Sequence, residues 1–434
     1  MNTKHNWMVA LAAGALLTAV VQFAPLAAAQ AQEGGRTHKD DDKGDKADKG
    51  KDPKHTVSKG EAKPLKAAQD AMQAKKYPDA LLHLKEAEGV SGKTPWDEHL
   101  INEMYGYVYA HTADLANAEK AFEATLNDGF TDPGEIPGKL KVLAQVNYQL
   151  KQYDKAIDFG QRTIKAGVGD EEMNTIVAQS FYLKNDFKGT LKFVSEWADS
   201  DLKKGKEPKE QTLNLILSSC IKLDDAECTS KSLERLVTYY PKPEYWGNLV
   251  ITLFQAQGQN DKSLLNTYRL ANEVDVLKRP DDYTEYAQLA IEAGSPGEAQ
   301  HVLEKAFQKN VFTDQRSQDK NKRLLASAET AAKQDLQSLP KIATDAESAA
   351  TGDKSVGVGL AYLGYQQYDK AAEALGKGVS KGGLKNDGEA HLLLGIAQLK
   401  SGHKEDAVKS FKAVKGDANL ERIANLWSLH AKQA

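Results

Sequence analysis

A helical pattern that repeats about every 36 residues runs along most of this chain. The pentapeptide QYDKA occurs at residues 152–156 and again at residues 367–371, and we take its final Ala, Ala156 or Ala371, as an anchor position. Similar segments place a residue at the same position elsewhere, at Ala80, Ala118, Thr190, Ser230, Ser263, Ala299 and Ala407. A period of this length predicts stacked helix pairs, because one pair buries its apolar side only against its neighbours.

Residue sizes around each anchor follow a rule that suits two crossing helices. Twelve residues earlier comes a small residue, at Ala68, Gly106, Ala144, Ala178, Ala287, Gly359 and Gly395. Four residues later comes a larger apolar residue, at Leu84, Phe122, Val194, Leu303, Leu375 and Phe411. Because helices approach closely only where side chains are small, we interpret the small residues as the crossing point, with the large group beside it.

The pattern weakens in the middle of the chain and changes at its end. Ser230 and Ser263 replace the anchor Ala, so we expect degenerate units with altered packing near residues 200–270. Residues 419–434 have apolar positions at helical spacing and no further repeat after them. We interpret this last segment as a helix that caps the array.

One unit is hidden in the longest step between anchors. Ala299 and Ala371 are 72 residues apart, which is two periods. This step predicts a further degenerate helix pair at residues 316–351, with Asp335 at the anchor position.

The spacing resembles that of the tetratricopeptide repeat, in which a small residue in the first helix and an Ala in the second have this separation. The resemblance covers nearly all of residues 63–434 and is strongest at the units anchored by Ala118, Ala156, Ala371 and Ala407. It implies an all-α fold: a right-handed superhelical solenoid of about ten helix pairs with a C-terminal capping helix. It also implies a scaffold or adaptor that holds a protein segment on its concave face.

The N-terminal residues have the composition of an export signal and a linker. Lys4, an apolar run and small residues before Gln32 form the pattern of a secretory signal peptide over residues 1–31. Residues 32–62 are rich in Lys and Asp and predict a disordered linker. We expect a periplasmic protein with no transmembrane segment after cleavage; a secreted protein and an uncleaved membrane anchor are the alternatives.

Charge and motifs argue against several functions. A formal net charge of -4 over 434 residues gives no basic field for nucleic acid. The ten His residues are scattered, and neither a phosphate-binding glycine loop nor a nucleophile elbow is present. We therefore expect no enzyme activity, no metal and no cofactor.

The chain has two cysteines, Cys220 and Cys228, separated by a predicted turn between two helices. Eight residues across a helix hairpin bring two Cα atoms within disulfide range, so a local disulfide is predicted. The alternative is a pair of buried free thiols.

The first helix of each pair lines the inner face of such an array, and its side chains there are the candidate binding residues. They are Tyr107, His111, Gln145, Tyr148, Gln149, Gln179, Tyr182, Gln255 and Gln288. Phenol and amide groups offer flat contact area and hydrogen bonds without net charge, which suits an extended protein segment. The alternative is a solvated helix face, since Gln is also a good helix former.

Toward the C-terminus the same positions become apolar, at Leu360, Leu363, Ile396 and Leu399. They predict a groove for an amphipathic helix or a self-association surface. Four aromatic residues cluster within residues 238–246, either as a ligand platform or as a packed turn between helices.

Together these features favour a non-enzymatic periplasmic scaffold or adaptor that supports envelope assembly or transport machinery. A binder of glycan or cell-wall ligands, which would use the aromatic residues of the same groove, is the alternative.

Overall fold

The computed structural model describes residues 55–433, which form twenty helices and no strand. The described residues divide into two compact units, unit 1 and unit 2, with the boundary after residue 200. Unit 1 contains α1 (Ala62–Gln73), α2 (Tyr77–Glu88), α3 (Pro95–His111), α4 (Leu115–Asn127), α5 (Ile136–Gln149), α6 (Tyr153–Lys165), α7 (Glu171–Leu183) and α8 (Phe187–Lys203). These helices form four consecutive antiparallel pairs, α1–α2 to α7–α8, because a short turn joins the members of each pair.

Unit 2 contains five more pairs and two unpaired helices. The pairs comprise α9 (Glu210–Lys222), α10 (Ala226–Tyr239), α11 (Pro243–Phe254), α12 (Asp261–Glu273), α13 (Pro280–Glu292), α14 (Pro296–Gln308), α16 (Asp353–Gly364), α17 (Tyr368–Lys381), α18 (Asp387–Lys400) and α19 (Lys404–Ala413). The unpaired helices are α15 (Gln315–Glu347) and α20 (Ala418–Ala431). The described residues therefore form nine pairs where about ten were predicted.

One turn geometry joins the two helices in eight of the nine pairs. The second residue after the first helix has a positive φ: Lys75, Ala113, Lys151, Asn185, Asp224, Gly294, Gln366 or Gly402. In the α5–α6 turn, Lys151 N donates to Tyr148 O at 3.1 Å and Gln152 N donates to Asn147 O at 2.9 Å. These bonds satisfy the last carbonyls of the first helix and reverse the chain at once, which makes a compact pair. QYDKA thus begins at the end of this turn.

The anchors are buried as the size rule predicts. Ala80, Ala118, Ala156, Thr190, Ala299, Ala371 and Ala407 are all 0% exposed. The small residue twelve positions earlier packs against the large group four positions after the anchor. A Cβ added at Gly106 would lie 2.6 Å from Phe122 Cε1, and one at Gly395 would lie 2.5 Å from Phe411 Cε1. Glycine at these sites therefore makes room for a ring in the second helix.

The two serine anchors are buried at the same position and use their hydroxyl groups. Ser263 closes a capping box with Asn260 at the start of α12, where Asn260 N donates to Ser263 Oγ at 2.9 Å. Ser230 accepts a bond from Arg422 Nη2 at 2.8 Å. Serine replaces Ala here because each hydroxyl makes a hydrogen bond that a methyl group cannot make.

The prediction of a degenerate helix pair at residues 316–351 is wrong. This stretch forms one continuous helix of 33 residues, α15, with Pro340 inside it. Its middle contains neither Gly nor Asn, the residues that most readily adopt the positive φ of the pair turn. Asp335, the predicted anchor, instead accepts a bond at 2.7 Å from the hydroxyl of Tyr365.

At the N-terminus the described structure begins before the predicted end of the linker. The predicted signal peptide, residues 1–31, and most of the predicted linker lie outside the described residues. Residues 55–61 pack on the α3 helix: Ser58 N donates to Asp97 Oδ1 at 3.0 Å, and the Glu61 side chain is 0% exposed. The linker boundary predicted at residue 62 is therefore too late.

The C-terminal helix α20 does more than cap its neighbours. On one side, Trp427 stacks on Phe411 of α19 with 6.1 Å between ring centroids. On the other side, Arg422 donates to Ser230 Oγ in α10 and, at 2.6 Å, to Thr252 Oγ1 in α11. Within unit 2, α20 therefore joins the last helix pairs to the first ones.

The same closure gathers charge at Glu273 in α12. Lys400 Nζ lies 3.0 Å and His430 Nε2 lies 3.5 Å from its carboxylate oxygens. Burial opposes ionisation of this carboxyl group, but the bonds from His430 and Lys400 outweigh it and lower the pKa of Glu273 to about 2. Glu273 thus stays charged and ties α12 to α18 and α20.

The contacts of α18 with α12 and α20 also decide whether the apolar positions near the C-terminus line an open groove. Ile396 and Leu399 are 5% and 8% exposed, and Leu360 and Leu363 are half-buried. Because α18 lies against α20 and is bonded to α12 through Lys400, Ile396 and Leu399 are core residues of unit 2. The prediction of an open apolar groove, for an amphipathic helix or for self-association, is therefore wrong at these two residues.

The aromatic residues of residues 238–246 form a packed turn. Tyr245 and Trp246 are 6% and 3% exposed. The Tyr245 hydroxyl donates to Glu210 Oε1 at 2.6 Å, and the Tyr240 hydroxyl donates to Pro208 O at 3.0 Å. These bonds hold the start of α11 against the start of α9, as expected for packing between pairs.

Candidate partner-binding face

Three successive first helices of unit 1, α3, α5 and α7, carry the predicted binding side chains at equivalent positions. We call the set the unit 1 face. Its predicted members are Tyr107 and His111 on α3, Gln145, Tyr148 and Gln149 on α5, and Gln179 and Tyr182 on α7; Leu183 on α7 joins them in the structure. On each helix the other members follow the first by three or four residues, so they lie on the same side of the helix as the first.

Hydrogen bonds between α5 and α7 hold the face in register. Tyr148 donates its hydroxyl to Gln179 Oε1 at 2.5 Å, and Gln145 Nε2 donates to Glu172 Oε1 at 2.8 Å. Gln145 is only 8% exposed, so this predicted binding residue is chiefly a link between helices. Tyr148 thus bonds to a residue one helical turn before its equivalent, Tyr182, and the bonds fasten the two neighbouring helices to each other.

An aromatic residue that starts the second helix supports each tyrosine of α5 and α7. The Tyr148 and Tyr153 rings are 6.3 Å apart between centroids, and the Tyr182 and Phe187 rings are 5.3 Å apart at 69°. Burial, and then the nearby Tyr153, raise the pKa of Tyr148 above its usual value. Its hydroxyl is therefore a neutral hydrogen-bonding group at physiological pH.

The aromatic cluster on α3 is built differently. The Tyr107 and His111 rings lie 4.1 Å apart, and Tyr77 of α2 lies 5.2 Å from His111. His111 Nδ1 also lies 2.9 Å from the Tyr107 carbonyl oxygen, one helical turn earlier. Three successive pairs thus each present one aromatic cluster on this side of unit 1.

The charged groups beside the face are paired with one another. Lys141 Nζ bonds to Asp170 and lies 3.7 Å from Glu172. The bond to Asp170 raises the pKa of Lys141 despite its burial, and Lys141 in turn helps to lower the pKa of Asp170. The surface offered by the face members is therefore phenol, amide, imidazole and aliphatic, with little net charge.

Leu183 belongs to this face and was not among the predicted residues. It is 48% exposed, which is unusual for a leucine in a packed helix. The signal was present in the repeat frame: Leu183 is seven residues before Thr190, the same offset as His111 from Ala118 and Gln149 from Ala156. Leu183 is apolar, whereas the predicted residues of this face are polar or aromatic.

The remaining predicted groove residues, Gln255 and Gln288, belong to unit 2. Both side chains are exposed, Gln255 directly after α11 and Gln288 within α13. Near Gln255, α20 approaches the end of α11, where Asn419 Nδ2 donates to Gln257 O at 3.1 Å. A segment of the chain itself thus lies beside the position predicted to be open.

Cys220, near the end of α9, and Cys228, in the first turn of α10, are brought together. Their Cα atoms are 5.5 Å apart and their sulfur atoms are bonded at 2.00 Å. The Cys220 side chain is fully buried, with Ser232 Oγ 3.3 Å from its sulfur. The bridge fastens one helix pair of unit 2 and takes no part in the unit 1 face.

A second aromatic site lies where α3 begins. The ring centroids of His55 and Phe130 lie 4.6 Å and 5.8 Å from the ring centroid of Trp96. A cleft of about 520 Å³ opens beside these three residues. The rings pack edge to face against one another, and His99 pairs with Asp128 at 2.8 Å beneath them. The cluster therefore serves chiefly to dock residues 55–61 and the loop after α4.

Two absences concern residues 55–433. In that range, no group of three or more His, Cys, Asp or Glu side chains is arranged to hold a metal ion. The helices described there are also too short or too polar to cross a membrane.

No family model matches the chain, and no curated protein sequence matches it. Several solved structures match it. A tetratricopeptide repeat protein from Parabacteroides merdae matches with TM-score 0.29 and 13% identity over 69% of this chain and 99% of that one. Naa15/Naa10 bound to HypK-THB matches with TM-score 0.29 and 13% identity over 86% and 72%. The TPR2AB domain of yeast Sti1 in complex with pHSP90 matches with TM-score 0.23 and 15% identity over 69% and 100%.

These scores are low, so the assignment of the fold depends on the packing of the chain itself. That packing repeats one turn, one buried anchor and one small-to-large contact through successive helix pairs. These features show an all-α array of repeated antiparallel helix pairs, similar to the tetratricopeptide repeat whose spacing the sequence resembles.

Proposed function

We propose that this protein is a non-enzymatic periplasmic scaffold whose unit 1 face binds an extended segment of a partner protein. The observation that carries the proposal is the register of α5 and α7, in which Tyr148 bonds to Gln179 and Tyr182 follows at the equivalent position. A row of equivalent groups along an array suits a ligand that is itself a linear repeat of similar groups, as a polypeptide backbone is.

The chemistry of the face supports a protein ligand. An extended segment exposes one donor and one acceptor per residue, apart from proline, and all of them need partners when the segment docks. Amide and phenol groups provide both kinds of partner, and Tyr182 and Leu183 add contact area for side chains. An adaptor role in envelope assembly or transport machinery is consistent with this chemistry and with the export signal predicted in residues 1–31.

The absence of catalysis is part of the proposal. Two carboxylates beside the face, Asp170 and Glu172, are bonded to Lys141 and Gln145 respectively. Groups held in this way position helices rather than transfer protons. The remaining face members are suited to binding.

The test is site-specific photocrosslinking in intact cells. A photoreactive residue at Gln149, which is exposed on the face, should capture one discrete protein that mass spectrometry can identify. The same residue at Lys120, exposed on α4, is the matched control and should capture nothing in common with it. Equal capture at both sites, or none at Gln149, would contradict the proposal.

A separate experiment with the purified chain distinguishes a glycan ligand from a protein ligand. Cosedimentation of the purified chain with cell-wall material, lost when Tyr148 and Tyr182 are replaced by Ala, would favour a glycan ligand. A protein scaffold predicts no such cosedimentation.

A further inference from the structure

The aromatic groups of the unit 1 face recur once per helix pair. Tyr148 with Tyr153 belongs to the α5–α6 pair, and Tyr182 with Phe187 belongs to the α7–α8 pair. On α3 the aromatic cluster is instead Tyr107 with His111, which lie within one helical turn of the position equivalent to Tyr148. A ligand that uses all three must present one flat or apolar group for each helix pair that it crosses.

The distance between these groups along the ligand follows from helix packing. The helices α5 and α7 lie close together along their backbones, and Tyr148 on one bonds to Gln179 on the other. Packed helices lie about 8–10 Å apart. A polyproline II helix rises about 3.1 Å per residue and has three residues per turn, so it advances about 9 Å per turn. Every third residue of such a segment therefore meets the next aromatic cluster.

The polar groups favour the same ligand. Proline has no backbone N–H, so a proline-rich segment mainly offers carbonyl acceptors and needs donors from its receptor. The Tyr148 hydroxyl uses the Gln179 amide oxygen and leaves the Gln179 Nε2 hydrogens as donors. Gln149 is an exposed amide on the same face. The charges beside the face are paired, so it favours a segment of low charge over an acidic or basic one.

From these observations, we infer that the partner segment is proline-rich, adopts a polyproline II helix, and places a proline at every third residue along the unit 1 face. The inference depends on the proposed function and specifies its ligand. A preformed helix of this kind loses little conformational entropy on binding, so a shallow face with three aromatic clusters suffices.

The test uses the full chain and a fluorescein-labelled peptide of about twelve residues, Pro-Ala-Gln repeated, with binding followed by anisotropy. A peptide of the same composition with its prolines consecutive is the control for spacing. We expect the spaced peptide to bind about tenfold more tightly. Equal binding of the two peptides, or no binding of either, would overturn the inference.

Variants locate the binding site. Tyr148→Ala and Tyr182→Ala should each weaken binding of the spaced peptide about fivefold or more, whereas Tyr148→Phe should keep most of it. Tyr109→Ala is the matched control, because Tyr109 stacks on Tyr105 elsewhere on α3. Circular dichroism verifies that each variant is folded. An effect of Tyr109→Ala equal to that of Tyr182→Ala would overturn the inference.

The photocrosslink at Gln149 separates this inference from the proposed function. If the captured segment contains no regular prolines, the proline-rich ligand is wrong while the partner-binding role stands. If Gln149 captures nothing, both are wrong.

Discussion

Two glycines of α16 provide a matched test of how the helix pairs pack. A Cβ added at Gly359 would lie 2.4 Å from Leu375 Cγ and 3.0 Å from Leu375 N, and Leu375 is fully buried. A Cβ added at Gly357 would have no heavy atom within 4 Å. Replacing either Gly by Ala gains about 1 kcal/mol of helix propensity. Only Gly359→Ala also overpacks the core, which costs about 1–3 kcal/mol of stability.

The common gain cancels when the two variants are compared. Gly357→Ala should be more stable than the parent, and Gly359→Ala should be less stable than Gly357→Ala by about 1–3 kcal/mol. For a body of the size of unit 2, each kcal/mol corresponds to roughly 2–4 °C in melting temperature.

Urea denaturation followed by circular dichroism measures the difference in unfolding free energy. Because helical arrays unfold in parts, hydrogen exchange of peptides from α16 and α17 shows whether the effect arises there. Equal stability of Gly359→Ala and Gly357→Ala would refute the close contact that defines the crossing of the pair.

Three further predictions concern the turn, the N-terminal segment and the cysteines. Ala113 has a φ of +60°, which strains any residue with a Cβ, so Ala113→Gly should raise the unfolding free energy by about 0.5–1 kcal/mol. The relief of strain exceeds the extra chain entropy that glycine loses on folding. Urea denaturation measures this change in unfolding free energy. Burial, and then the charge of Asp97, raise the pKa of Glu61, so its contribution to stability is present at acid pH and is lost as pH rises through that pKa. Glu61→Gln should therefore be more stable than the parent in melts at pH 7, with the advantage lost at acid pH; no difference at pH 7 would contradict this. Alkylation of the unreduced chain should add no label at Cys220 or Cys228 in its intact mass, and two labels would exclude the bridge.

The helix pairs themselves could be predicted because their determinants are local in sequence. A small residue at position 106 or 395 and a ring sixteen residues later are both visible without a structure, and the two do meet. The positive φ angles of the turns could not be predicted from residue type alone. Lys151 and Gln366 adopt a positive φ although neither is Gly or Asn, because the packing of both helices outweighs the local cost of about 1–2 kcal/mol.

The long helix α15 and the closure by α20 could not be predicted in the same way. A period of 36 residues fits two short helices or one long one equally well, and only the missing turn decides between them. The bond from Arg422 to Ser230 spans 192 residues, so it depends on the path of every pair between them. Periodicity identifies sequence neighbours and carries no information about contacts of that range.

The unit 1 face was predicted in outline and refined by tertiary contacts. Tyr148, Gln179 and Tyr182 lie where the repeat frame placed them. Gln145 has the same offset in its pair as Gln179 but is buried, because Glu172 on the next pair lies within bonding distance of it. Burial of an amide by a neighbouring repeat depends on the side chains of both pairs at once.

The most direct test of the account is capture of the partner by the double variant Tyr148→Ala/Tyr182→Ala, with the photoreactive residue at Gln149. The matched control is Tyr105→Ala/Tyr109→Ala, which removes the stacked tyrosine pair elsewhere on α3. With both proteins folded, the account predicts that capture falls at least tenfold in the first variant and persists in the second. Unchanged capture by Tyr148→Ala/Tyr182→Ala would contradict the assignment of binding to the unit 1 face.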